Sequence, residues 1–160
     1  YFNFIQTEYF KEAEPDAKAD ALQKLAPRAL WWFRWGAMFT FLSGLVLLAF
    51  KGATSNLYIY TGALLGTLMF LNVWLIIWPN QKKVIAGAAD AASAAAAAGL
   101  ASRTNTLFSG PMLFFIGAST HLPAGMNPDG AYTLAGGASG LAIVIAILLI
   151  LAMQANSLWL

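Results

Sequence analysis

The stretch that decides the fold runs from Leu71 to Asn105, LNVWLIIWPNQKKVIAGAADAASAAAAAGLASRTN. It begins as continuous hydrocarbon, breaks at Trp78-Pro79, sets down Lys82 and Lys83, and then becomes almost pure alanine. An apolar run that ends in tryptophan and two lysines is the pattern of a helix leaving a bilayer. The indole rests at headgroup depth and the ammonium groups stay in water. On this reading Trp78 anchors the end of a span, Pro79 closes its helix, and Lys82 and Lys83 hold it against the headgroups. The alanine run, about 86–101, has one acid, Asp90, and no large apolar face. It is therefore expected to be a cytoplasmic spacer helix held by alanine's propensity. The alternative is a close-packed docking face for a partner subunit, because small side chains let another backbone approach.

Elsewhere in the chain, three further blocks resemble the one before Trp78. A bilayer core needs about 20 apolar residues in a helix. The expected spans are 29–50, 57–78, 104–122 and 131–153, the third interrupted by Pro111. Of the 160 residues, 59% are apolar and 10% are charged, whereas an ordinary soluble domain carries roughly a quarter charged residues. A chain this short cannot hide so much apolar surface from water. The expected fold is all-α: a polytopic membrane protein, with a four-transmembrane-helix bundle over 29–160 and two cytoplasmic or interfacial helices. Residues 1–28 form the N-terminal interfacial or cytoplasmic segment. Within it Pro15 begins a soluble helix and Pro27 ends it.

Charge sets the expected orientation. Lys11, Lys18, Lys24 and Arg28 precede the first block, and Lys82, Lys83 and Arg103 lie between the second and third; only Lys51 falls on the other side. The bias puts both termini on the cytoplasmic side of the membrane. Trp31, Trp32, Trp35 and Trp78 lie at one expected depth and form an aromatic belt. Arg34, in the first turns of its span, is expected to snorkel to the same headgroups, with an anionic ligand or a quinone head as the other reading.

Chemistry-bearing residues are few. With a net charge of +2 and no basic patch, nucleic acid is not an expected partner. There is no cysteine, so disulfides, thiolate metal sites and covalent c-type haem have no ligand here. His121 is the single histidine. It is the candidate cofactor ligand, for haem or a pigment, only together with a partner chain; the plain reading is an interfacial histidine bonded to a carbonyl or water. No cofactor is expected within the chain itself, with haem, lipid or quinone shared with partners as the alternative. Asn72, deep in the second block, is expected to hydrogen-bond between helices, and the pairs Gly62/Gly66 and Gly136/Gly140 to mark flat packing faces. The acids lie in the N-terminal segment and the connections, so a proton relay lacks its usual groups.

Four strings taken together, YFNFIQ, ALWWFRWGA (29–37), NVWLIIWPNQKKVIAG (72–87) and ASRTNTLFSGPMLFF (101–115), resemble the membrane domain of the bacterial urate oxidase N-terminal family. The resemblance implies cytochrome-c-linked urate oxidation, with a multi-span membrane part followed in some members by a c-type cytochrome domain. Family members are expected to carry a further span upstream and to continue past the fourth, so the sequence is read as a piece of a longer protein or a shortened relative. The expected partners are the lipid bilayer, other membrane subunits and a c-type cytochrome. Two functions are in view. The first is an integral membrane subunit without catalytic groups, anchoring or packing in a respiratory or photosynthetic electron-transfer complex. The second is the membrane part of a urate-oxidising oxidoreductase. A transporter would want charged or broken helices at midplane, and Pro111 is the only hint of one.

Overall fold

In a computed structural model the chain is described over residues 2–51, 56–121, 140–156 and 158, and every regular element among them is helical. A π-helical turn, Phe2–Gln6, leads into α1 (Thr7–Glu12) and α2 (Pro15–Lys24). The long elements are α3 (Ala26–Lys51), α4 (Leu57–Leu71), a π-helical segment Asn72–Ile77, α5 (Trp78–Ile85), α6 (Ala91–His121) and α7 (Gly140–Asn156). Gly136 and the first part of the expected fourth span lie outside the described residues.

Pro79 does not close its helix. Asn72 and Trp78 both keep right-handed helical dihedrals, so α4, the π segment and α5 form one rod from Leu57 to Ile85. A proline inside a helix removes one N–H and drives its ring toward the carbonyl four residues back. Here the segment ending at Ile77 is wound wider, with the Trp78 N–H reaching back to the Val73 carbonyl. That wider turn gives the ring room.

The rod ends at Gly87, whose φ of +64° is the left-handed conformation that glycine adopts without steric cost. The Ala88 N–H bonds the Lys83 carbonyl (3.0 Å) and the Gly87 N–H bonds that of Val84 (3.2 Å), the paired arrangement of a Schellman C-terminus. The chain then reverses, and Lys83 pairs with Asp90 across the turn at 2.7 Å.

Beyond that turn the expected spacer helix and third span are a single element. Residues 91–121 form one 31-residue helix, α6, with no break between the alanine run and the expected third span at 104. Ala94, Ala98 and Ala101 are buried. Their spacing of four and three residues puts them on one helical face, and that face packs on the rod, with Ala101 against Val73 and Ile77. The face is close-packed, but against the chain's own rod and not against a partner subunit.

α4 and α6 run antiparallel. The contacts pass from Asn56 with Ser119 at one end, through Gly62 with Ile116, to Asn72 with Asn105. α3 lies along the other side of the rod, with Phe41 stacked on Phe70 (4.3 Å) and Trp35 edge-on to Trp74 (5.8 Å). Two helices among the described residues are long and apolar enough to cross a membrane, Ala26–Phe50 and Leu57–Ile85. α6 does not meet that test, diluted by Ser102, Arg103, Thr104 and Asn105, and α7, at 17 residues, is short of a full span.

Candidate functional site

The only buried polar cluster that ties three helices together among the described residues is built from carboxamides. Asn72 is 1% exposed at the start of the π segment. Its Nδ2 donates to Asn105 Oδ1 on α6 (2.8 Å) and to Gln154 Oε1 on α7 (3.0 Å). Gln154 Nε2 donates back to Asn72 Oδ1, and Asn105 Nδ2 donates to the Met69 carbonyl (3.0 Å). The N–H of Asn72 is shared between the carbonyls of Leu68 and Met69. The cluster therefore sits where the rod changes winding. Carboxamides neither gain nor lose a proton at ordinary pH, so the cluster fixes helix register without storing charge. A buried amide left unpaired is costly, and inside a membrane a helix–helix hydrogen bond contributes about 0.6 kcal/mol on average and up to about 1.7. Asn105 and Gln154 escape a sequence reading because each lies beside an expected boundary. The available signal was that both, like Asn72, are carboxamides set in or next to apolar runs.

A second cluster surrounds Arg34. Its guanidinium carbon stands 3.9 Å from the centre of the Trp78 ring, 5.1 Å from Trp74 and 5.7 Å from Trp35. Lys82 Nζ approaches the same Trp78 ring at 5.6 Å. Arg34 Nε and Trp74 Nε1 are both buried without a hydrogen-bond partner. Trp74 was not singled out from the sequence, although its place four residues before Trp78 puts it on the same face. Trp31 and Trp32 are exposed and meet edge-to-face at 5.0 Å. Lys83 turns instead to Asp90, and the hydrogen bond from its ammonium holds the Asp90 carboxyl below the usual carboxylate range.

The packing glycines separate. A Cβ on Gly62 would stand 2.8 Å from Ile116 Cγ1 and 3.3 Å from the Ile116 backbone nitrogen, so the bare backbone is what lets α6 approach. At Gly66 the nearest atom would be Met112 Sδ at 3.5 Å, an ordinary contact, and at Gly140 there is open space. His121 is the exposed last residue of α6. Among the described residues no three of His, Cys, Asp and Glu gather to hold a metal, and every described carboxylate is exposed.

The N-terminal turn docks on the same end of the bundle as Arg34. Asn3 Nδ2 donates to Thr106 Oγ1 (2.8 Å) and Ser102 Oγ (3.1 Å) on α6, while Phe2 meets Phe33 of α3 edge-on at 5.2 Å.

No curated protein and no solved structure matches the chain. The family model for the urate oxidase N-terminal region matches residues 50–160, which takes in the rod, the alanine face, all three members of the amide cluster, and Trp74 and Trp78. The chain therefore belongs to the urate oxidase N-terminal family.

Proposed function

We propose that this chain is an integral membrane subunit that anchors and packs in an electron-transfer complex of the bacterial inner membrane. It crosses four times, keeps both termini on the cytoplasmic side and supplies no catalytic group. The observation that carries this reading is the inversion of polarity: carboxamides inside, hydrocarbon outside. On α3 alone Trp32, Phe39, Leu42, Leu45, Val46, Leu47 and Phe50 are exposed, Phe50 at 86%. Covering a large apolar side chain is worth about 1.5–3 kcal/mol. Seven such groups, about two-thirds exposed on average, would forgo on the order of 10 kcal/mol in water, comparable with the whole net stability of a typical domain. Lipid removes that penalty.

Family membership favours a second reading, the membrane part of a cytochrome-c-linked urate oxidase. One experiment separates the two. The protein is purified from its native membrane with its co-purifying chains, and a reduced-minus-oxidised spectrum is recorded before and after urate. The anchoring reading expects this chain to be colourless when separated and to travel with a larger complex, and His121→Ala to assemble normally with its pigment complement unchanged. Stoichiometric haem on the separated chain, reduced by urate and lost in His121→Ala, would replace the first reading with the second.

A further inference from the structure

We propose that Arg34, Trp78 and Lys82 form a binding site for the phosphate of an anionic phospholipid headgroup. Two cations share one indole: Arg34 lies over the Trp78 ring at 3.9 Å and Lys82 reaches the same ring at 5.6 Å. No ion pair among the described residues offsets either cation. Those pairs join Lys11 to Glu8, Lys24 to Asp20 and Lys83 to Asp90, none of which involves Arg34 or Lys82. A guanidinium carries five N–H donors in one plane. Arg34 Nε and the indole N–H of Trp74, against whose ring Arg34 also stands, are enclosed by protein without an acceptor, so a phosphate would meet the guanidinium through its terminal Nη groups.

Contact with Trp78 restrains the guanidinium, and its edge can then meet two oxygens of a phosphate together. Position selects a lipid over a soluble anion. Arg34 belongs to a helix apolar enough to span, and Trp78 and Lys82 stand where the apolar run of the rod gives way to lysine. That is headgroup depth. The site rests on the chain's being a membrane subunit, as proposed above.

The full chain in detergent is titrated with phosphatidylglycerol and with phosphatidylcholine, and retained lipid is counted by native mass spectrometry. Phosphatidylglycerol should be retained with about tenfold preference, a difference of about 1.4 kcal/mol. Arg34→Gln should bring it to the phosphatidylcholine level. Arg34→Lys, which keeps the charge but loses the planar fork, should retain it about threefold less well than wild type. Lys24→Gln and Arg103→Gln remove the same charge elsewhere and should change nothing. Equal retention of the two lipids, undiminished retention in both Arg34 variants, equal loss in the two control variants, or displacement by inorganic phosphate would each overturn the site. Should Arg34→Gln fail to fold, Arg34→Lys decides. Release of the chain from membranes by alkaline washing would sink the membrane reading itself, whereas a chain that stays in the membrane without lipid preference sinks only this site.

Discussion

Gly62 and Gly66 look alike as letters and differ in what surrounds them. Replacing glycine by alanine inside a helix gains about 0.5–1 kcal/mol from backbone entropy. At Gly66 the new methyl meets only Met112 Sδ at ordinary distance, so Gly66→Ala should be neutral or slightly stabilising. At Gly62 the methyl would collide with Ile116 Cγ1 at 2.8 Å and press on backbone behind it. Overpacking costs typically 1–3 kcal/mol, which outweighs the entropic gain. Gly62→Ala should therefore lower stability by about 1 kcal/mol, read as a fall in melting temperature in detergent beside an unchanged or raised value for Gly66→Ala. Equal shifts for the two would contradict the packing. The sequence marked both glycines as a packing pair but could not rank them, because the ranking depends on which residue of α6 lies opposite. Asn72 was legible for the same reason that its partners were not. A lone carboxamide deep in hydrocarbon announces that it needs a hydrogen bond, whereas Asn105 and Gln154 give the same signal more faintly, beside expected boundaries and polar neighbours.

At the scale of elements, the turn between α5 and α6 carries two consequences. Gly87 holds a positive φ that closes the Schellman arrangement, so Gly87→Ala should cost about 1 kcal/mol even though the space around it is open. A melting temperature measured in detergent, compared with wild type, checks this. The Lys83–Asp90 pair adds a pH dependence. Because Lys83 holds Asp90 below its ordinary pKa, about 3.9 for a free aspartate side chain, the ionised carboxylate is favoured more in the folded chain than in the unfolded one. Its contribution is fully present at neutral pH and disappears as pH falls below about 4 through the lowered value. An acid titration of thermal stability should show this loss, and Asp90→Asn should flatten that part of the curve. The pair is solvent-exposed, so high salt should weaken it as well.

The same turn explains where a linear reading of the helices goes astray. Pro79 and Lys82-Lys83 were read as a membrane exit, and the helix was expected to stop with the apolar run. A helix ends where its backbone finds a cap, however, and the cap is Gly87, two turns further on. The alanine run carried no visible apolar face because alanine hides its face. Ala94, Ala98 and Ala101 are buried by closeness of approach, with hardly any hydrophobic bulk to signal it.

For the whole molecule, the long apolar runs made a helical class legible before any contact was known. Helices were the expectation, and helices are what the described residues form. Two of the expected spans meet the length and hydropathy test, while α6 draws its place from packing against the rod through the Gly62, Asn72 and Ala101 contacts more than from its own hydropathy. A helix of that kind is faint in sequence because its neighbours satisfy its polar groups, and hydropathy scores each residue as if it faced lipid alone.

The account depends above all on the bundle standing in a bilayer with its lysine-bearing ends on one side. The chain contains no cysteine, so single cysteines report side without interference. With Ala17→Cys, Ala89→Cys and Ser55→Cys made one at a time, intact cells are treated with a membrane-impermeant maleimide and compared with lysed cells. The account predicts that Ser55→Cys is labelled in intact cells and that Ala17→Cys and Ala89→Cys are labelled only after lysis. Labelling of Ala89→Cys and Ser55→Cys from the same side, or of all three alike in a chain recovered without its membrane, would contradict it.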